Sequence, residues 1–478
     1  MTGFQEYELL EPGSPPADEQ ADTGIRRHFK RGGLANDTAW GALHDLSQLF
    51  VMTATFLLLG RKLGVSDYGR YVGLYGIVGP VGGLTWSGIT LAVLQRRLRE
   101  RDGAGIVARD FFLMGICLGV VATIVATGIG ATIIHGLGVG PILAVMFAEL
   151  LAGAITAISI AMVQAEKGFA PATRLRLVVL AIRVSVVLGL AATDQLSIAH
   201  IALGYGIGFA VYLSVLLTKI LPHHGIPFVL GRPQPGTAKL TGAIALPIAA
   251  GVLQQDGDKS VLNAYHYAHE AGLYGAAFRV VSMGLMPLRA LEGAAFQRFL
   301  PHNANERNEH TRRAARYSVL ALSGSIFVGI GILVASPLLD IIIGKDFAGA
   351  EKMVPWLLPF LPLTAVSNAP SNGLLGLGKL GVRAGIYTTS AIVSLSLYIT
   401  MIPLMPTGEH WKGAVIGTIA GEAFLAIAGW TALTYFQRKH NATLDVPMGE
   451  PEPGTEAAHV LPPPYDGPVP AHQPSRDA

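Results

Sequence analysis

Apolar runs of about twenty residues, separated by short polar stretches, recur along the whole chain, and that is the length that carries an α-helix across a hydrocarbon layer of about 30 Å. The pattern predicts twelve spans, at about 38–60, 71–94, 108–134, 141–164, 174–192, 197–220, 239–262, 272–300, 315–343, 352–376, 379–402 and 412–436. The runs lack the two-residue alternation of a membrane barrel strand, which excludes a closed barrel. The predicted fold class is an all-α polytopic membrane protein.

The spans divide six and six at residues 221–238, where LPHHGIPFVLGRPQPGT is rich in proline and glycine and reads as a linker. On this reading residues 1–37 are a disordered arm with a basic stretch beside the membrane, 38–220 a first six-helix bundle, 239–438 a second, and 439–478 a disordered proline-rich tail. An internal echo supports the division. SDYGRY at 66–71 follows the first span of one half, and HEAGLY at 269–274 follows the first span of the other, with Gly69 matching Gly272 and Tyr71 matching Tyr274. Six spans separate the copies, so both turns are expected on one side of the membrane, as parallel repeats about an axis along its normal.

Charge then orients the chain. Arg96, Arg97, Arg99 and Arg101 follow span 2, while Arg307, Arg312, Arg313 and Arg316 follow span 8. Most Lys and Arg fall in these loops, the linker and the flanks of the tails, so both termini are expected in the cytoplasm. Composition agrees with a membrane protein: 51% of the 478 residues are hydrophobic and 14% charged, too little polar surface for a soluble protein of this size. The 58 glycines suit close helix packing in lipid. Cys117 lies within an apolar run and has no partner for an internal disulfide. No cleavable leader is expected, since the first apolar run comes after a long polar stretch.

Catalytic motifs fail on inspection. GLLGLGK at 373–379 has the glycine spacing of a phosphate loop, but Leu380 replaces the required Ser or Thr and a membrane helix precedes it. His223 and His224 have no Cys or carboxylate at ligand spacing, and no Gly-x-Ser-x-Gly elbow is present. No enzyme, metal site, cofactor or nucleic-acid partner is expected, and short outer loops leave no room for an extramembranous catalytic domain.

Polarity inside the spans is the unusual feature. His44, Asp45 and Gln48 lie in span 1, Glu149 in span 4, Arg183 in span 5, Gln254, Gln255, Asp256, Asp258 and Lys259 in span 7, Arg279, Arg289 and Glu292 in span 8, and Glu422 in span 12. A charge at mid-membrane costs about 2.5–3.5 kcal/mol on an insertion scale unless it faces water or a partner, so an aqueous cavity between the halves is expected. Arg183, Arg279, Arg289, Lys259, His44, Asp45 and Gln48 are candidates to line it; Glu149, Asp256, Asp258 and Glu422 are candidates for coupling or gating. Bland alternatives stand beside these. Arg289 and Glu292 are spaced to pair on one helix, the span 7 charges suit either an interfacial position or an outer gate, and Arg183 or Arg279 has the option of pairing with Glu149, Glu422 or backbone carbonyls of another helix.

The two-half arrangement, GGLANDT at 32–38, LLLGRKLGVSDYGRY at 57–71, DGDKSVLNAYHYAHEAGLYGAAFR at 256–279 and IIIGKDFAGAEKMVPWLL at 341–358 together resemble bacterial polysaccharide-biosynthesis flippases, within the superfamily of multidrug, oligosaccharidyl-lipid and polysaccharide exporters. The resemblance covers about residues 32–438. It implies a V-shaped pair of bundles that moves a lipid-linked oligosaccharide or polysaccharide precursor to the outer leaflet of the bacterial plasma membrane by alternating access. The partners it implies are the lipid-linked glycan, membrane lipids and glycan-assembly enzymes. No motif of the resemblance fixes Arg183 or Arg279 as ligands; that assignment comes from their charge and position. Two other classes remain open: a cation-coupled drug exporter using carboxylates such as Asp45 or Glu149, and a non-transporting scaffold for glycan assembly.

Overall fold

The computed structural model describes residues 34–288, 291 and 310–444. Among these no strand occurs, and the helices are α1 (Leu34–Leu63), α2 (Val65–Leu98), α3 (Ala104–Ile133), α4 (Val139–Lys167), α5 (Phe169–Ala192), α6 (Ile198–His223), α7 (Thr237–Ala264), α8 (Ala268–Leu288), α9 (His310–Leu338), α10a (Ala350–Leu357), α10b (Phe360–Gly376), α11 (Leu380–Leu404) and α12 (Trp411–Leu444). Eleven are long and apolar enough to cross a membrane.

The difference from twelve lies in the tenth predicted span. Residues 352–376 were expected as one helix, but Pro355, Pro359 and Pro362 crowd one stretch, and the chain breaks between Leu357 and Phe360. Each proline removes a backbone donor and pushes on the preceding turn. Two outer boundaries also move. α1 already begins at Leu34, so residues 34–37 of the predicted arm are helical. α12 continues to Leu444, beyond the predicted end at 438, because no Gly or Pro follows until Pro447. The remainder of both tails lies outside the described residues.

The repeated motif explains how the halves meet. A Cβ on Gly69 would overlap the carbonyl oxygen of Ala268, and one on Gly272 would overlap that of Val65. This is one contact made twice, since Val65 stands four residues before Gly69 as Ala268 stands before Gly272. Such mutual exchange is what a two-fold relation produces, and it brings both motif copies together at one end of the helices. From there α2 runs antiparallel to α7 over a stripe of small residues: Gly73 lies against Asn263, Gly76 against Ser260, Gly79 against Val252, Gly83 against Ala249 and Gly88 against Ala245. The close approach lets side chains reach across to backbone. Asn263 Nδ2 donates to the Gly69 carbonyl at 2.9 Å, and Ser260 Oγ to that of Gly73 at 2.8 Å.

At the opposite end, buried Arg96 donates to Asp102, to Asp110 at 3.0 Å, to Thr237 at 2.8 Å and to Gln234 at 2.7 Å. The end of the linker and the start of α7 are thereby tied to α2 and α3. A second stripe, Gly413, Gly417 and Gly421 of α12, seats against Ile402, Tyr398 and Ser394 of α11, the small-xxx-small pattern of membrane helix contacts.

Candidate functional site

The charges within the spans form three clusters. In the first half, α4 carries a widened π turn over Phe147–Ala152, a distortion that re-aims side chains and recurs at functional positions. Glu149 sits in it. Its carboxylate accepts from Arg183 of α5 at 2.6 Å and from the Tyr75 hydroxyl of α2 at 3.0 Å. The Arg183 guanidinium also lies over the rings of Phe209 and Tyr205, at 5.4 and 5.8 Å. Arg183 therefore takes the pairing alternative: its charge is neutralised by Glu149 from another helix, and an anion would have to compete with that carboxylate.

The second cluster is on α7. Lys259 Nζ donates to Asp256 at 2.9 Å and Asp258 at 3.0 Å, and lies 3.8 Å from the Phe278 ring centroid. The other oxygen of Asp258 accepts from Tyr274 at 2.5 Å and Thr418 at 3.3 Å. Lys259 and Asp258 are buried, while Asp256 is partly exposed. The interfacial reading of these residues fails for Lys259 and Asp258, which are enclosed by α8 and α12. One lysine faces two carboxylates, so with both ionised the cluster carries one surplus negative charge.

The third centre is Glu422 on α12, 1% exposed and accepting from Ser367 Oγ at 2.9 Å. Gln255 and Thr364 also face it, and both line a cavity of about 210 Å³ between α7, α8, α9 and α10b. Among the described residues no Lys, Arg or His pairs with Glu422. A buried carboxylate without a counter-ion is held as the neutral acid or with a bound cation.

Arg279 of α8 differs from Arg183. It is half-buried, its charge reaches the Tyr68 hydroxyl, and no carboxylate among the described residues pairs with it. Between the two arginines runs one face of α2, where the Tyr68 and Tyr71 rings lie 6.3 Å apart and the Tyr71 and Tyr75 rings 4.8 Å apart. The span 1 residues stay separate: among the described residues His44 pairs with its neighbour Asp45, at 3.1 Å, with Asp45 80% exposed and Gln48 exposed. They join neither arginine in a contact. Arg289 and Glu292 lie outside the described residues. Among the described residues no group of three His, Cys, Asp or Glu is placed to hold a metal ion.

Sequence reasoning missed Tyr75, Tyr274 and Ser367, which hold the carboxylates. Ser367 was readable, since SNAPSN at 367–372 is an oddly polar run inside a span. Tyr75 looked like an ordinary apolar-face aromatic, and Tyr274 stood out only as the repeat partner of Tyr71.

This architecture, two repeated helical bundles packed through α2 and α7, is the fold of MATE family transporters of the MOP superfamily. An outward-facing structure of a multidrug resistance MATE transporter matches with a TM-score of 0.60 at 16% identity, over 88% of this chain and 99% of that one. An inward-facing one gives 0.63 at 16%, over 83% and 96%. A MOP superfamily transporter from Pyrococcus furiosus, described as having a binding pocket of reversed polarity that suggests a different function, gives 0.55 at 14%, over 85% and 93%. Neither protein-family models nor curated proteins match the sequence.

Proposed function

We propose that the chain is a membrane transporter working by alternating access, and that its cargo is a lipid-linked oligosaccharide or polysaccharide precursor carried from the cytoplasmic to the outer leaflet of a bacterial plasma membrane. The fold supports transport as the class of activity. The cargo rests on one observation: Arg279, a permanent cation in an apolar span without a carboxylate partner among the described residues. A guanidinium so placed offers an anionic head a bidentate, charge-assisted contact, while the lipid tail stays in the bilayer. Arg183 has a structural role instead. The motif end is the outer end and the Arg96 end the cytoplasmic one, following the excess of basic residues; both termini are then cytoplasmic.

Glu422 serves as the coupling group. The cavity lined by its neighbours Gln255 and Thr364 has room for water, and the charge of Glu422 changes without stranding a partner among the described residues. A drug exporter is the second reading, supported by the same fold and by the net negative Asp256–Asp258–Lys259 cluster.

The deciding experiment places Arg279→Gln and Arg279→Lys in cells that lack the wild-type gene. The flippase reading expects normal abundance of both variants, loss of surface glycan with inward accumulation of its lipid-linked precursor in the Gln variant, and partial rescue by Lys. Undiminished surface glycan with Gln, together with lost efflux of a cationic dye, would establish the exporter instead.

A further inference from the structure

At the motif end a contact between the halves stands apart from the glycine packing. His135, in the loop after α3, and His266, in the turn between α7 and α8, lie with ring centroids 3.8 Å apart and planes 30° apart. Both residues are exposed. Their mounts are fixed. Ile134 is buried beside His135 and touches the α2 backbone at Gly73. His266 holds a left-handed backbone, φ +66°, with its N–H donating to the Asn263 carbonyl, and Asn263 in turn holds Gly69. Histidine, with Asn and Asp, is among the non-glycine residues that adopt that backbone most readily.

We propose that this imidazole pair is a pH-sensitive latch on the outer end, closed when the rings are neutral and released when both protonate. The inference rests on the alternating-access reading and on the orientation given above. Imidazole is the side chain that gains charge between about pH 5 and 8. Neutral rings stack; two imidazolium ions at 3.8 Å repel strongly enough, even at the dielectric of water, to move the closed-to-open ratio roughly sixfold.

The surroundings leave that repulsion uncompensated. Arg70 of α2 lies beside Gly136 and pairs with Asp67 at 2.5 Å. Glu270 of α8 accepts from the Trp411 N–H at 3.0 Å, and Glu409 pairs with Lys412 at 2.7 Å. His410 stacks on Tyr267 at 3.7 Å, and His269 stands exposed on α8. Among the described residues no carboxylate pairs with His135 or His266. Acidification of the outer face thus biases the protein toward outward opening, because the parted state binds more protons.

The test measures opening directly, so it stands whether or not the cargo is a glycan. In a Cys117→Ser background, spin labels at Thr132→Cys and Thr407→Cys, both at exposed positions, report the distance across the outer end in lipid nanodiscs. Between pH 8 and pH 5 a longer-distance population should rise several-fold. His135→Phe keeps a stacked ring without a charge and should abolish the rise. His266→Asn, which tolerates the left-handed backbone, should do the same and covers the case in which the Phe variant fails to fold. An unchanged distance distribution at pH 5, or the same rise in a folded variant, overturns the latch.

Discussion

Glu149→Gln isolates an arginine pair that the sequence left undecided, Arg183 with Glu149. The substitution leaves Arg183 charged and without its carboxylate, and removing one member of a buried pair costs about 3–5 kcal/mol. Arg183 keeps 27% of its side chain exposed and retains the Phe209 and Tyr205 rings. Part of its charge is then hydrated or faces a π surface, which lowers the expected loss to about 2–3 kcal/mol. Arg183→Gln strands Glu149, which is 7% exposed but still hydrogen-bonded to Tyr75, and should cost a similar amount. The double variant strands neither charge. With no buried charge left unpaired, it should return to within about 1 kcal/mol of wild type. Denaturant unfolding in mixed micelles, run as a double-mutant cycle, measures the coupling. The double variant should also retain transport if the Arg183–Glu149 pair is structural, as proposed. A coupling below about 0.5 kcal/mol would refute the structural role, as would an inactive double variant of normal stability.

The other expectations follow from the same geometry. Gly69→Ala and Gly272→Ala each drive a Cβ into a carbonyl of the opposite copy; both should shift the spin-label distribution across the outer end toward separation even at pH 8, and a variant that stays closed would refute the close contact. Glu422→Gln, unlike Glu149→Gln, strands no charge, so its thermal midpoint should hold while transport loses its dependence on the driving ion; loss of stability with coupling intact would reverse the assignment. Just past the end of α5, the Asp194 carboxyl is held below the usual carboxylate range by a 2.9 Å hydrogen bond from Lys62, at the end of α1. A lowered acid stabilises the fold above its unfolded pKa and loses that contribution as pH falls, but Asp194 is exposed and the pair is screened; Asp194→Asn should leave the melting temperature unmoved at pH 7, and a clear drop would show a tighter contact.

The sequence determined the helices and their duplication because both are local properties. A twenty-residue apolar run specifies a span by length alone, and the copies SDYGRY and HEAGLY mark corresponding turns. The break in the tenth span was missed, although Pro355, Pro359 and Pro362 stand in the sequence to mark it. Charge fates were not. Helical periodicity reveals neighbours three or four residues away, whereas the partner of Arg183 stands on another helix, in a π turn that the pattern does not show. Arg183 and Arg279 were equivalent in sequence, each a cation without a local carboxylate. Only packing separated them, by bringing Glu149 to one and leaving the other without a carboxylate among the described residues. His135 and His266 likewise became a pair only when the motif glycines drew the two halves together at one end. Burial in lipid makes every charge seek a partner, but which partner it finds depends on how the helices cross.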